Sequence, residues 1–247
     1  ICLIDAYQPV QRFLNEYCIP QLNMQVTFLK GTDLQEMEAA IQENTALIIL
    51  ESPATFVFTV VDLEEISRIA RKHNVKTYMD NTYCTPLYQK PLDFGIDIVM
   101  HTLTKYLGGH SDVLGGVLVS KDEALMRRIM NQMREWLGGV MGPMESWLVI
   151  RGMRTLGVRL KQHQKSAQAV AEFLEKHPKV KKVYYPGLKS HPQHDLICKQ
   201  QKGSSGLLSL ELKGDPEKAL QFVDALQLFR KGCSWGGFES LAMVPLY

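Results

Sequence analysis

The sequence predicts an α/β protein: a mostly parallel sheet with helices on both faces, followed by a smaller C-terminal α/β domain. Three short apolar runs, residues 46–50, 75–79 and 96–100, alternate with stretches of helical periodicity. Each run also ends in polar residues: Glu51-Ser52-Pro53, Asp80-Asn81-Thr82, and the stretch from His101 to Lys105. Ligands of parallel sheets bind outside the carboxyl ends of the strands, so three such ends describe one site.

In chain order, residues 1–4 read as a strand. Asp5-Ala6-Tyr7-Gln8-Pro9 then turns into a helix whose buried face is expected to be Val10, Phe13, Leu14 and Tyr17. A strand over 25–29, a helix over 34–43 and the buried strand 46–50 repeat the unit. Asp62 stands three residues before Glu65, a capping-box spacing with Asp in place of Ser or Thr, and Leu63, Ile66, Ile69 and Ala70 supply the apolar stripe that follows. Residues 115–119 read as a returning strand and 123–137 as a helix with Met126, Met130 and Met133 as core filler. From Pro143 a helical stretch is interrupted near Gly152 and Gly157. A second rhythm then runs through a helix to 176, strands 180–184 and 206–212, and a helix 217–226, which places the domains at 1–150 and 151–247.

Composition narrows the function. With 45% hydrophobic and 22% charged residues, 247 residues suffice for a sizeable core. A net charge of +2 argues against a nucleic-acid or membrane partner, and Lys179, Lys181 and Lys182 form only a local solvated cluster. Five cysteines without a Cys-x-x-Cys pair suit a reducing cytoplasm. Seven histidines without a helical His-x-x-x-His pair argue against a metal site. The chain starts at Ile1 and stops in the apolar stretch 244–247, and both ends are expected to be cuts through a larger protein.

The site is sought at the strand ends. Alone, Lys105 reads as a solvated lysine after a strand and Asp80 as a loop cap. Together they suit pyridoxal phosphate: a desolvated lysine loses its proton and can bond the cofactor's aldehyde carbon, while a carboxylate keeps the pyridine nitrogen protonated. Gly108 and Gly109 lack a following Gly-Lys-Ser/Thr, so they read as a tight turn and not a P-loop. His110, in that turn, is not assigned a catalytic role.

The run Thr104-Lys105-Tyr106-Leu107-Gly108-Gly109-His110-Ser111-Asp112, with Asp80-Asn81-Thr82 and Glu51-Ser52-Pro53 upstream, resembles the cysteine and methionine metabolism family of pyridoxal-phosphate enzymes. The segments 151–160 and 234–241 extend the match over essentially the whole chain, and Ser234-Trp235-Gly236-Gly237 most resembles the family's bacterial β-lyases. The resemblance implies the aspartate-aminotransferase fold type I, with pyridoxal 5'-phosphate on Lys105 and Asp80 at its ring nitrogen. It further implies that Tyr7 stacks on the ring and takes part in proton transfer, and that Thr102 and Thr104 hold phosphate oxygens. Ser234 and Trp235 would border the substrate carboxylate. Many members carry Asn where Thr55 stands, to bond the ring oxygen; a hydroxyl there can still donate one bond and favours the β-lyase branch.

The implied reaction is carbon–sulfur β-elimination on a small amino-acid thioether such as cystathionine, in a cytoplasmic homo-oligomer built as a dimer of dimers. The γ-lyases, γ-synthases and sulfhydrylases of the same family stay open as alternatives, as does a non-catalytic cofactor-binding remnant. The family's substrate-gripping arginine and its cross-subunit contacts are expected beyond Tyr247 and before Ile1.

Overall fold

A computed structural model describes residues 1–245; Leu246 and Tyr247, within the apolar end read above as a cut, lie outside the described residues. The elements in chain order are β1 (Cys2–Leu3), α1 (Gln8–Phe13), α2 (Ile19–Leu22), β2 (Phe28–Leu29), α3 (Leu34–Ala39), β3 (Leu47–Glu51), α4 (Leu63–Lys72), β4 (Lys76–Asp80), α5 (Thr85–Tyr88) and β5 (Ile98–Thr102). There follow β6 (Gly116–Val119), α6 (Glu123–Ile129), α7 (Pro143–Met153), α8 (Leu156–Glu175), β7 (Val180–Tyr184), α9 (His194–Gln200), β8 (Ser209–Leu212), α10 (Glu217–Ala225), β9 (Arg230–Lys231) and β10 (Leu241–Ala242). Among the described residues, no helix is long and apolar enough to cross a membrane.

The described chain packs as two compact units. One comprises residues 1–101, 117–140 and 192–202; the other comprises residues 102–116, 141–191 and the chain from 203 on. These units group residues by local packing, and the chain passes between them on both sides of residue 150.

The first unit is built on the sheet ordered β2-β1-β3-β4-β5-β6, in which β1 pairs in parallel with β2 and β3, β3 with β4, and β4 with β5. Its core joins Leu3, Ile48, Leu50, Met79 and Val99 of the strands to Met37 of α3 and to Leu63, Ile66 and Ala70 of α4. The Asp62 cap forms as the spacing predicts: its side chain accepts from Glu65 N at 3.1 Å. Glu65 instead pairs with Arg68 at 2.8 Å, so its carboxylate lies outside the reciprocal half of the box. At the start of β4, Thr77 N and Oγ1 both donate to Asp97 Oδ2, at 2.9 and 2.8 Å, which satisfies a fully buried hydroxyl and ties β4 to the entry of β5.

Two expectations about buried faces are corrected. Phe13 and Tyr17 are 55% and 49% exposed and stack on each other, while Leu14 and Cys18 face the core. Residues 14–18 form a π-helical turn, whose wider pitch rotates the following side chains off the 3.6-residue stripe. Met130 and Met133, expected as core filler, are 51% and 42% exposed, and no residue of the helix from Glu123 through the π-helical turn to Trp136 is buried, so this whole helix lies on the surface of its unit. The helix expected over 34–43 ends at Ala39, and Thr45 Oγ1 then accepts from Gln42 N at 2.9 Å in a turn that competes with the helix.

The second unit carries α7 and α8, the antiparallel pair β7–β8 and the parallel pair β9–β10. The helical stretch breaks between Met153 and Leu156, inside the interval marked by Gly152 and Gly157. Ala167 and Ala171 of α8 pack with Tyr185 and Leu188, and the buried Tyr185 hydroxyl donates to Ser205 O at 2.9 Å.

Candidate active site

In the first unit, the ends of β3 and β4 bring two carboxyl groups side by side. The parallel register places Glu51 opposite Asp80. Burial first, and then the neighbouring Asp80, push the Glu51 carboxyl up to about 8. Burial likewise pushes Asp80 up, opposed by hydrogen bonds from Thr82, whose N–H donates to Oδ1 at 2.8 Å. Glu51 Oε2 accepts from Tyr7 N at 2.6 Å, at the turn into α1, and Oε1 meets Thr55 Oγ1 at 2.5 Å. Tyr7 is exposed at that turn.

The loops after these strands are held by buried amides. Asn81 Nδ2 donates to Gln89 O at 2.9 Å, and Gln89 Nε2 donates to Ser52 O at 3.1 Å and to Asn81 Oδ1 at 3.0 Å. Ser52–Pro53 is cis. Thr55 has one hydroxyl proton, so the Glu51 contact decides its use. Deprotonated, Glu51 takes that proton as acceptor. Protonated on Oε1, Glu51 is the donor, and the Thr55 hydroxyl can donate elsewhere.

In the second unit, Thr102 and Thr104 lead into Lys105, and the turn that follows is locked by Gly108 N and Gly109 N, which donate to Leu103 O and Lys105 O at 2.8 Å each. Gly109 adopts φ +72°, so the paired glycines do serve a tight turn. His110 is exposed and its Nδ1 donates to Gly108 O at 2.8 Å. Thr104 Oγ1 accepts from Gly115 N at 3.1 Å, while its own proton has only a 3.5 Å contact with Gly115 O, which leaves a donor for another acceptor.

Lys105 Nζ donates to Ser234 Oγ at 3.0 Å and lies 5.4 Å from the centre of the Trp235 ring. Burial lowers the pKa of its amine, against a smaller opposing effect of Cys233. Gly236, at φ +86°, lets the 234–237 loop lie directly on the lysine turn: a Cβ there would be 2.6 Å from Tyr106 N. Ser111 Oγ closes the arrangement with Glu239 Oε2 at 2.8 Å. The first unit thus gathers Tyr7, Thr55 and Asp80, and the second gathers Lys105, Thr104, Ser234 and Trp235, with Thr102 at the end of β5.

Glu51 and Cys233 were not singled out as site residues from the sequence. Glu51 carries the same signal as Asp80, a carboxylate ending a buried strand, whereas nothing local to Cys233 marks its nearness to a lysine 128 residues earlier.

These residues fit pyridoxal phosphate on two observations. The Asp80 carboxyl is half-buried, and burial and Thr82 alone act on it among the described residues, so it lacks the cation that a protonated ring nitrogen would provide. The Lys105 amine is shifted toward its neutral, nucleophilic form and already has an acceptor to hold it.

Comparison with known proteins follows the same line. The chain is 38% identical over 245 residues to a cystathionine beta-lyase of Coxiella burnetii, covering 99% of this chain and 63% of that protein. It is 39% identical over 233 residues to an L-methionine gamma-lyase of Fusobacterium nucleatum, covering 94% and 59%. The crystal structure of MetB from Corynebacterium glutamicum superposes with a TM-score of 0.94 at 35% identity, covering 97% of this chain and 62% of that one. The chain therefore spans about three fifths of the length of these relatives. Its parallel sheet with helices on both faces is the fold of those pyridoxal-phosphate enzymes, as the resemblance implied. A family model matches all of residues 1–247, and with these strand ends and this lysine turn the chain belongs to the Cys/Met metabolism PLP-dependent enzymes, whose cofactor is pyridoxal 5'-phosphate.

Proposed function

We propose that the protein carrying this chain is a carbon–sulfur lyase that eliminates a thiol from Cβ of cystathionine or a similar cysteine thioether, giving pyruvate and ammonia. The observation that carries this reading is the Lys105 amine, lowered in pKa by burial and held 3.0 Å from Ser234 Oγ. Such an amine is suited to bind an aldehyde carbon and, once released, to take a proton from the substrate Cα. The cofactor supplies a sink for the electron pair left at Cα. Lys105 Nζ removes that proton, Ser234 Oγ fixes the direction of approach, and Asp80 holds the proton on the ring nitrogen. Tyr7 covers the ring and assists proton transfer, Thr55 donates to the ring oxygen, and Thr102 and Thr104 donate to phosphate oxygens. Ser234 and Trp235 also border the substrate carboxylate. Breakage of the Cβ–S bond sends its electron pair out with the thiolate, and hydrolysis of the remaining three-carbon fragment gives pyruvate and ammonia.

In this reading residues 1–150 form the cofactor-binding domain and 151–247 the smaller domain, within a cytoplasmic homo-oligomer arranged as a dimer of dimers. The β-lyase branch is supported by the Ser234-Trp235-Gly236-Gly237 form and by β-lyase relatives at 38–44% identity. A second reading, γ-elimination, draws support from γ-lyase relatives at 39–41% identity. Cystathionine separates them: β-elimination releases homocysteine and pyruvate, γ-elimination releases cysteine and 2-oxobutyrate. We expect pyruvate. Formation of 2-oxobutyrate in its place would overturn the β reading, and release of neither from cofactor-loaded protein would overturn cystathionine lysis altogether, in favour of the family's synthase and sulfhydrylase chemistry or of a non-catalytic binder.

A further inference from the structure

The sequence segment 151–160 extends the family match, yet none of the roles above uses it. In the second unit its side chains close around the backbone that carries Lys105. Arg159 Nη1 donates to Tyr106 O at 2.8 Å, Nη2 donates to Gly152 O at 2.8 Å, and Nε donates to Thr155 Oγ1 at 3.0 Å. The Thr155 hydroxyl donates in turn to Gly152 O at 3.1 Å. Three directed bonds from one planar fork leave the guanidinium no rotational freedom.

The same close approach explains two glycines. A Cβ on Gly109 would lie 2.0 Å from Arg159 Nη1, and a Cβ on Gly152 would lie 2.1 Å from Gly108 O. The fork therefore sits in the crook of the lysine turn, where any larger residue would exclude it. One helical turn after Arg159, the His163 ring meets the Tyr106 ring edge-on at 5.2 Å. Trp235 packs on Tyr106 at the same distance, and the Tyr106 hydroxyl accepts from Gly206 N at 2.7 Å. The residue next to Lys105 is thus held by its carbonyl, its ring and its hydroxyl.

We infer that Arg159 is a positioning residue for Lys105: by clamping the Tyr106 carbonyl it fixes the turn from which the lysine amine reaches the cofactor carbonyl. The inference rests on the reading of Lys105 as the cofactor's covalent anchor.

The test traps the cofactor on lysine with borohydride in the full-length protein and measures the fraction of chains tagged at Lys105 by peptide mass spectrometry, well below the melting temperature. In the parent, a tag on a lysine other than Lys105 would overturn the anchor reading itself, before any variant is made. With the parent tagged at Lys105, Arg159→Met removes the fork at similar volume and Arg159→Lys keeps the charge without it. We expect the fraction tagged at micromolar pyridoxal phosphate to fall about tenfold or more in Arg159→Met, as for loss of a charge-assisted bond, and less in Arg159→Lys. Faster hydrogen exchange of the Gly108 and Gly109 amides should accompany the fall. A lowered melting temperature with tagging within twofold of the parent would overturn the inference in favour of a merely structural role. Should Arg159→Met fail to fold, Arg159→Lys carries the test by the same measurements, and failure of both to fold would likewise assign Arg159 to structure alone.

Discussion

Glu51 and Asp80 face each other across the β3–β4 ladder, and the Asp80 carboxylate adds to the cost of ionising Glu51 in a site already half removed from water. Only hydrogen bonds from Thr55 and the Tyr7 N–H offset burial at Glu51. Folded protein holds a proton on Glu51 between its ordinary 4.5 and about 8, where the unfolded chain has lost it. Unfolding there releases a proton, so this contribution to stability is complete below pH 4.5 and disappears as pH rises through 8. His101, pushed down to about 4 by burial, acts in the opposite sense below its ordinary 6.5. The Glu51 effect is therefore read between pH 6.5 and 8.

In that window, urea unfolding of cofactor-free protein should lose stability with rising pH at up to about 1.4 kcal/mol per pH unit relative to Glu51→Gln. Parallel curves for parent and variant would show that Glu51 titrates as an ordinary carboxylate.

Asp80→Asn keeps the side-chain size and the contact with Thr82 N, but no longer holds a ring-nitrogen proton by charge. Turnover should fall on the order of a hundredfold or more while borohydride still tags Lys105. Turnover close to that of the parent would make Asp80 a loop cap.

Ser234→Ala removes the acceptor 3.0 Å from Lys105 Nζ and leaves the amine over Trp235 without a fixed direction. A single directed hydrogen bond is worth about 1 kcal/mol, and more to a charged amine, so kcat should fall about tenfold, with Lys105 still the tagged residue. An unchanged kcat would limit Ser234 to substrate contacts.

Gly152→Ala sets two effects against each other. Alanine in a helix gains about 1 kcal/mol over glycine, but the new methyl would press on the Gly108 carbonyl, which is backbone and cannot swing aside. Overpacking of this kind costs roughly 1–3 kcal/mol or more, so the variant should melt several degrees lower. A higher melting temperature would mean that α7 can slide away from the lysine turn.

Local periodicity and strand-end chemistry made much of the site readable. The apolar runs before Glu51, Asp80 and Lys105 place these residues at strand ends whatever else the chain does, because a buried strand needs only its own residues to announce itself. The Asp62 cap and the Gly108-Gly109 turn are equally local. The sequence did not announce where a helix would change pitch or which helix would stay on the surface: the π turn at Leu14–Cys18 brings Cys18 rather than Tyr17 to the core, and the helix carrying Met130 and Met133 buries no residue.

By itself the sequence determined the α/β class and the family, and it singled out the residues proposed to hold the cofactor, since these depend on residue type and spacing along short stretches. Tertiary structure alone decided what holds them. Ser234 meets the Lys105 amine from 129 positions away and Arg159 meets the next carbonyl from 53 away. Contacts of that span exist only once the intervening chain has folded, so no local pattern encodes them. Burial acts in the same way: a carboxylate raised to about 8 and an amine lowered in pKa owe their shifts to water removed by distant segments, which no single stretch of sequence records.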